Sequence, residues 1–504
     1  MDQMAIKKPM AKKPMAEARK KMHQKLPLMD ALKNYTQKDV AAFDVPGHKR
    51  GQGVPVLQDF FGEKLMKMDV NSLPELDNVS NATGVIKEAM ELLADAYGAD
   101  AAYFMTNGTT GAIHSMLLAA LEPGDEVLLP RNIHKSALNG LILCGAKPVY
   151  VKADILPKEN LVGNLTARDV EMHLLDNPKI KAVFVLNPTY YGFVSDLKAI
   201  ASVCNRHGVL LMVDEAHGAH LGFHDGLPLS AMEAGADMSC VSIHKTGGAL
   251  TQASALLVKK NKINPKKVQQ VVNMLQSTSA SYLLMGSLDG ARQNLVLNGH
   301  RQLTEALRLS SLARFELNRI PGVHTVESPD GRLDITKLGI NVRGLGLSGF
   351  EVYDLMHQNY GIQLEMPDFN HVLAIISLGD EERNIWRLID AFKEISKKQA
   401  ATPTKINMKP MRPLGTPKVA LSPRQAYFSE KAPLLLDAAI GRIAGESVMA
   451  YPPGIPLVAP GEEITAEIVV TLKQLKQSQA FMTDSYDPDL KQILVIKEES
   501  DPYA

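Results

Sequence analysis

The sequence predicts an α/β fold in which a mostly parallel sheet carries helices on both faces. The prediction rests on strand-like and helix-like segments that alternate from about residue 84, and on the short, apolar character of the strand candidates. Strands that alternate with helices typically form parallel sheets. The strand candidates are AAYFM (101–105), EVLLP (126–130), KPVYV (147–151), KAVFVLN (181–187), VLLMVD (209–214), ADMSCVSI (236–243) and SALLV (254–258).

Three segments beside these strands have helical spacing of their apolar residues: 84–99, 112–121 and 197–208, the last ending at Gly208. In sheets of this kind, ligands bind beyond the carboxyl ends of the strands. Asp214 closes one strand candidate, and Ser242, His244 and Lys245 follow another. We therefore expect a ligand site at this edge of the sheet.

The length of 504 residues predicts two or three domains. We predict a basic flexible leader at 1–27, a large ligand-binding domain at 28–300 that includes an N-terminal segment at 28–83, and a small α+β domain at 301–400. SSLARFELNRI (310–320) is helix-like, and LDITKLGINV (333–342) and HVLAIISLG (371–379) are strand-like. A proline-rich linker at 401–418 and a C-terminal domain at 419–504 follow.

Composition narrows the class of protein. Lys and Arg together number 55, as do Asp and Glu, so the net charge is zero and gives no argument for nucleic acid or membranes. The three cysteines are widely spaced and form no Cys-x-x-Cys pair, which disfavours disulfides and thiolate metal sites. No apolar run is long enough to span a bilayer and no secretory signal is visible, so we expect a cytoplasmic protein.

The turn NGTTG (107–111) lies between a strand and a helix. Glycines let the backbone approach a ligand, and hydroxyls with free helix N–H groups suit a phosphate. Many turns contain Gly and Thr, however, so the turn alone is weak evidence.

The segment VDEAHG (213–218) places Asp214 at a strand end and His217 three residues later. Such an acid can be a helix cap, an ion-pair partner or a metal ligand. The metal alternative would use Asp214, Glu215, His217, His220 and His224, but this spacing fits no hydrolase helix motif. Beside pyridoxal phosphate (PLP), the acid would instead keep the pyridine nitrogen protonated.

The segment SIHKTGG (242–248) places Lys245 directly after an apolar strand. Burial lowers the pKa of a lysine and makes it a better nucleophile toward a carbonyl. The alternative is a solvated lysine in a turn; Asp214, thirty-one residues upstream, favours the functional interpretation. In RNIHKSALNG (131–140), His134 follows a further strand and could stack on a flat cofactor, although a lone histidine is more often structural.

Together these segments resemble the fold-type-I PLP decarboxylases of the ornithine/lysine/arginine family, most closely its shorter bacterial arginine decarboxylases. The resemblance covers most of the chain. It rests on DVPGHKRG (44–51), NGTTGA (107–112), PRNIHKS (130–136), NPTYYG (187–192), VDEAHGAH (213–220), LPLSAMEAGAD (227–237), SIHKTGG (242–248), QSTSASYLL (276–284) and YPPGIP (451–456). It implies an aspartate-aminotransferase-like large domain, a smaller α+β region and a C-terminal domain.

The resemblance also implies residue roles. Lys245 would bind PLP covalently, Asp214 would bind the pyridine nitrogen and His134 would stack on the ring. The phosphate would be held by Thr109, Thr110, Ser242 and His244, and by Ser277 or Thr278 of a neighbouring subunit, so that active sites would lie at a homodimer interface. YPPGIP would close over the substrate entrance.

The implied reaction is decarboxylation of a basic amino acid: arginine to agmatine in polyamine synthesis, or lysine or ornithine instead. The proton donor would be His217, Lys245 or water. Glu365, Asp368 and Glu446 are candidates for binding the distal cation of the substrate. Two rivals remain: another PLP reaction, such as an aminotransferase with Arg343 as its carboxylate anchor, and a non-catalytic regulatory relative.

Overall fold

The structure is a computed structural model that describes residues 17–151, 155–156, 158–401, 415–450, 455–477 and 482–498. Its helices are α1 Glu17–His23, α2 Pro27–Thr36, α3 Pro55–Phe61, α4 Glu63–Met68, α5 Val85–Tyr97, α6 Gly108–Ala120, α7 Lys135–Cys144, α8 Ala167–Asp176, α9 Leu197–Arg206, α10 Ala231–Ala234, α11 Ile243–Thr246, α12 Pro265–Leu275, α13 Tyr282–Leu317, α14 Gly349–Tyr360, α15 Glu382–Ala401, α16 Pro423–Phe428 and α17 Ala466–Gln477.

The strands are β1 Ala101–Met105, β2 Glu126–Pro130, β3 Lys147–Val151, β4 Ile155–Leu156, β5 Leu161–Val162, β6 Ile180–Leu186, β7 Leu210–Asp214, β8 Met238–Val241, β9 Ser254–Val258, β10 His324–Thr325, β11 Lys337–Asn341, β12 Met366–Pro367, β13 His371–Ile375, β14 Lys431–Leu435, β15 Val448–Ala450, β16 Ile455–Val458, β17 Met482–Thr483 and β18 Gln492–Ile496. Every strand predicted from the sequence is present: four keep their predicted bounds, β6 is shifted by one residue, and β7, β8, β11 and β13 are shorter than predicted.

The large sheet has seven strands in the order β1–β9–β8–β7–β6–β2–β3. The predicted mostly parallel α/β sheet is confirmed: β7, β6, β2 and β3 pair in parallel. β9 is antiparallel to both β1 and β8. The parallel strands are almost wholly buried, as expected where helices cover both faces.

The chain divides into two compact units. The first comprises Met1–Ser115 and Glu215–Glu305, and the second comprises Met116–Asp214 and Ala306–Ala504. The second unit also contains an antiparallel sheet in the order β10–β11–β13–β12, whose apolar core includes residues of α14 and α15. Smaller sheets, β14–β18 and β16–β15–β17, form a further core near the C-terminus.

The predicted leader at 1–27 includes a segment that contacts α13 in the structure. Residues 17–23 form α1, and His23 is fully buried. The segment is anchored because Arg292 of α13 donates hydrogen bonds to the carbonyls of His23, at 2.7 Å, and Lys25, at 2.6 Å. Residues 1–16 and most of the predicted linker, 402–414, lie outside the described residues.

Helix α13 is far longer than predicted. The sequence indicated a helix at 310–320, whereas the structure has one continuous 36-residue helix, Tyr282–Leu317. Within the part of the chain that the structure describes, no helix is both long and apolar enough to cross a bilayer.

Candidate active site

Three hydroxyl groups converge at the start of α6. The Thr109 hydroxyl is hydrogen-bonded to that of Ser242, and its Oγ1 lies 3.3 Å from Oγ of Ser254. All three residues are buried. The structure thus brings together two predicted phosphate-binding residues and adds Ser254, which the sequence had not indicated. Thr110 is exposed at the next position.

The turn that presents Thr109 depends on two glycines. Gly108 has a φ of +75°, in the left-handed region that favours glycine. At Gly111 an added Cβ would lie 2.3 Å from Cγ of Asn107, so the Asn107 side chain would have to move. The Oδ1 atom of Asn107 is buried without a hydrogen-bond partner in the protein. Because the first N–H groups of a helix have no partner within it, this turn offers several donors in one place.

Lys245 and His217 form a direct contact. The Nζ of Lys245 lies 2.8 Å from Nε2 of His217, whose side chain is buried. Lys245 itself is half-buried on the short helix α11, which follows β8 as the sequence predicted. A hydrogen bond between an amine and an imidazole nitrogen requires one of them to donate and the other to accept, and the roles here depend on the tautomer of His217.

His244, also predicted to bind phosphate, contacts the backbone. The ring Nδ1 of His244 lies 3.1 Å from the Ala253 carbonyl oxygen, and the backbone N–H of His244 donates to the same oxygen at 3.2 Å. Burial lowers the pKa of His244, and the nearby positive charge of Lys245 lowers it further, although the bond to Ala253 works in the opposite direction. His244 therefore binds a proton less readily than a solvent-exposed histidine.

In the second unit, His134 is the N-cap residue of α7. Its Nδ1 accepts a hydrogen bond from the N–H of Ser136 at 3.2 Å and lies 2.8 Å from the hydroxyl of Ser136. An Nδ1 that accepts from a backbone N–H carries no proton, so the ring proton of the neutral side chain is on Nε2. The cap fixes both the tautomer and the orientation of the ring.

Asp214 ends strand β7 and is 2% exposed. It pairs with Leu186 of β6, and its carbonyl accepts a hydrogen bond from the N–H of Asn187 at 2.9 Å. Its neighbour Glu215, in the first unit, accepts hydrogen bonds from the Ala231 N–H at 2.7 Å and the Ser239 hydroxyl at 3.2 Å. The described residues bring no three histidine, cysteine or acidic side chains together in a way that could hold a metal ion.

The three predicted substrate carboxylates differ in their surroundings. Glu365 is exposed. Asp368 accepts hydrogen bonds from the Tyr191 hydroxyl and from the N–H of His371 at 2.8 Å. Glu446 is buried and accepts hydrogen bonds from the N–H groups of Tyr486 and, at 2.6 Å, Leu494. The role of all three in substrate binding stays a prediction.

Two further predicted elements, the Ser277–Thr278 pair and the segment YPPGIP, stay predictions. Ser277 and Thr278 are exposed after α12, and the Ser277 hydroxyl accepts a hydrogen bond from the N–H of Ser279 at 3.1 Å. Of YPPGIP, residues 451–454 lie outside the described residues.

Arg343, the proposed carboxylate anchor of the aminotransferase alternative, is exposed. It lines a cavity of about 400 Å³ with Lys158, Gly322, Val323, His324, Asn341 and Gly344.

Comparison with known proteins identifies the family. The Orn/Lys/Arg decarboxylase major domain matches residues 26–329, and the Orn/Lys/Arg decarboxylase C-terminal domain matches residues 405–485. The chain belongs to the Orn/Lys/Arg decarboxylase family. The predicted family and the predicted carboxy-lyase class are therefore confirmed.

Individual members of this family support the same conclusion. An arginine decarboxylase of Halalkalibacterium halodurans is 36% identical over 481 residues, covering 94% of this chain and 98% of the relative. The solved structure of lysine decarboxylase A from Pseudomonas aeruginosa superposes with a TM-score of 0.81 at 22% identity, covering 95% of this chain and 82% of that one.

The solved structure of SPT with its PLP internal aldimine superposes with a TM-score of 0.50 at 16% identity, covering 62% of this chain and 76% of that one. Both structural likenesses concern the fold, and they agree with the predicted fold-type-I architecture.

Sequence reasoning did not single out Ser254 or Arg131, and it considered Glu215 only as a ligand in the metal alternative. Each of the three contacts a residue outside its own segment: Thr109, Glu462 and Ala231, respectively. A partial signal existed for Glu215 and Arg131, because both lie inside segments that the family resemblance covers.

Proposed function

We propose that this protein is a PLP-dependent decarboxylase that converts L-arginine to agmatine and CO2, in support of polyamine synthesis. The identity of 36% to an arginine decarboxylase along nearly the whole chain favours arginine over lysine and ornithine. The observation that carries the proposal is the contact of Lys245 with His217, because it supplies an amine that can lose its proton to a neighbouring base.

The residues present suit PLP. The hydroxyls of Thr109, Ser242 and Ser254, together with the free N–H groups of α6, are donors of the kind that bind a phosphate ester. The unpartnered Asn107 Oδ1 and Thr246 Oγ1 show that polar groups near this turn and after Lys245 have hydrogen-bonding capacity left over. Thr110 and His244 complete the proposed phosphate set.

The remaining proposed roles follow from residue chemistry. Lys245 would link PLP covalently, Asp214 would hold a proton on the ring nitrogen, and His134 would present a ring of fixed orientation for stacking. When bound, PLP supplies an electron sink for the pair of electrons left on Cα as CO2 departs. The proton returned to Cα would come from His217, from Lys245, which lies in contact with it, or from water.

Substrate choice depends on a carboxylate that binds the distal cation. Arginine favours a two-point contact with a carboxylate, whereas lysine needs only one. Of Glu365, Asp368 and Glu446, we propose Glu365 as the first to test. The other two carboxylates already accept hydrogen bonds from the protein.

The proposal is tested with purified protein supplied with PLP and, separately, with arginine, lysine and ornithine. We expect agmatine and CO2 from arginine at a far higher kcat/KM than cadaverine or putrescine from the other two. The Lys245→Ala variant should be inactive and should keep no borohydride-fixed cofactor. Preference for lysine or ornithine would overturn the substrate, and release of a keto acid instead of CO2 would overturn the reaction.

We also propose that active sites lie at a homodimer interface in the cytoplasm, with Ser277 or Thr278 reaching the phosphate of the neighbouring subunit. The exposure of both side chains leaves them available for such a contact. Mixed dimers test this: Lys245→Ala and a Ser277→Ala/Thr278→Val double variant should each be weak, whereas their mixture should regain activity through one intact site. An additive mixture would contradict it.

A further inference from the structure

The loop that carries His134 is held by residues from the far end of the chain. Arg131, three residues before His134, donates a hydrogen bond through Nη1 to the Pro456 carbonyl at 2.7 Å. Its Nη2 donates to Oε2 of Glu462 at 2.8 Å. The Arg131 side chain is 16% exposed and that of Glu462 is 2% exposed, so this ion pair is largely shielded from water.

The same C-terminal region also contacts the opposite end of α7. Arg424 donates through Nη1 to the carbonyls of Ile142, at 3.2 Å, and Leu143, at 2.7 Å. A cation at the C-terminal end of a helix satisfies free carbonyls and complements the helix dipole. At the N-terminal end of α7, the Nζ of Lys135 lies 3.3 Å from Oδ1 of Asp484. Both ends of the helix that His134 caps are thus bonded to residues beyond 419.

Glu462 is itself rigidly placed. Its Oε2 accepts a second hydrogen bond from the Ala459 N–H at 2.9 Å, and its carbonyl accepts one from the Ala444 N–H at 2.8 Å. The preceding Gly461 has a φ of +92°, and a Cβ there would lie 2.2 Å from the Leu421 carbonyl oxygen. The backbone at 461–462 therefore has little freedom to move with Arg131.

We propose that Glu462 and Arg131 are positioning residues for His134, and that Arg424 supports them by fixing the far end of α7. This inference rests on the proposed function, in which His134 stacks on PLP. The Arg131–Glu462 pair fixes the position of the loop between β2 and α7. The hydrogen bond from the Ser136 N–H then fixes the orientation of the His134 ring. The C-terminal region thereby contributes to cofactor binding without touching the cofactor.

The geometry explains why the residue types matter. A guanidinium donates two directed bonds at once, here to a carbonyl and a carboxylate, whereas a lysine ammonium cannot span both. A misplacement of about 1 Å in an active site can cost about 100-fold in rate. In metal sites, loss of a residue that orients a ligand typically costs about 10–100-fold in affinity or activity. Weakening this pair should consequently be visible in PLP binding.

The test compares Arg131→Lys and Glu462→Gln with Arg442→Lys, a matched control. Arg442 makes an ion pair with Glu498 at 3.2 Å and donates to the Ile496 carbonyl at 3.2 Å, also in the C-terminal region. We expect PLP to dissociate about 10-fold more readily from the first two variants and unchanged from the control. In the cofactor-free protein, hydrogen exchange should quicken at 131–137 in those two variants alone.

A double variant separates positioning from general loosening. In a His134→Ala background, Arg131→Lys should no longer weaken PLP binding, because its effect passes through the missing ring. Equal loss with and without His134, or unchanged exchange at 131–137, would overturn the inference. If the wild-type protein binds no PLP, the proposed function fails, and the exchange measurement still decides whether Glu462 orders this loop.

Discussion

The Nζ of Lys245 lies 2.8 Å from Nε2 of His217, and both residues follow strands whose carboxyl ends the sequence had marked as a ligand site. In the proposed function, His217 would be a proton acceptor for the lysine. It would then be a proton donor at the position that the lysine vacates when the substrate binds.

His217→Gln should slow turnover because glutamine can keep a hydrogen bond to Lys245 but cannot carry the proton. General acid–base groups typically contribute about 100-fold or more, so we expect kcat to fall by about that factor and its pH dependence to flatten. Steady-state kinetics across pH measure both. His357→Gln, at an exposed position on α14, is the control. An unaltered pH profile would assign the proton to Lys245 or water.

Thr109→Val should weaken PLP binding with little effect on folding. The substitution keeps the shape but removes the hydroxyl that meets Ser242 and Ser254. A hydrogen bond to a charged group is worth about 1.5–3 kcal/mol, so the dissociation constant should rise about 10-fold or more. Equilibrium titration with PLP measures it, with Thr304→Val on α13 as the control. Equal affinities in the two variants would remove Thr109 from the phosphate site.

His371 should stabilise the second unit below alkaline pH. Burial lowers its pKa, but the Asp368 and Glu159 carboxylates outweigh burial and raise the pKa to about 9. Because the folded value exceeds the unfolded one, the stabilisation is complete below about pH 6.5 and is lost as pH rises through about 9.

His371→Gln removes this titration. The difference in unfolding free energy between wild type and variant should therefore shrink by up to about 3 kcal/mol across that interval. Urea unfolding at several pH values measures the difference. A difference that stays constant, or grows with pH, would contradict a charged His371.

Arg292→Met should release the N-terminal segment. Arg292 and Asp289 form a fully buried ion pair at 2.6 Å, and Asp289 also accepts hydrogen bonds from the N–H groups of Leu28, at 3.1 Å, and Met29, at 3.3 Å. Loss of one partner of a buried pair costs about 3–5 kcal/mol.

We expect a lower melting temperature and faster proteolysis before residue 28. Arg301→Met, at an exposed position on the same helix, should change neither. A variant as resistant as wild type would show that the segment is held by its apolar contacts instead, chiefly Leu28 and Leu32.

The sequence was most informative where apolar strands end in polar residues. Asp214 and Lys245 could be predicted as candidate site residues because Asp214 ends the apolar strand β7 and Lys245 follows the apolar strand β8. Both strands are almost wholly buried. The contact of Thr109 with Ser242 joins residues 133 apart, yet it could be anticipated because parallel-sheet topology gathers such ends at one edge.

The sequence was least informative where one distant side chain decides local structure. Residues 17–27 have the charge of a solvated tail, but Arg292, 269 residues beyond His23, holds them against α13. Arg131 and Glu462 are 331 residues apart, and neither has a local pattern that indicates its partner. Such pairs follow from tertiary packing, which periodicity does not encode.

The cap at His134 has an electrostatic consequence. Since the Ser136 N–H donates to Nδ1, a proton on Nδ1 would set two N–H groups against each other. An uncharged ring can lie flat against a positively charged heterocycle without repelling it. If His134 stacks on PLP as proposed, this hydrogen bond would favour an uncharged ring beside the positive charge that Asp214 would maintain.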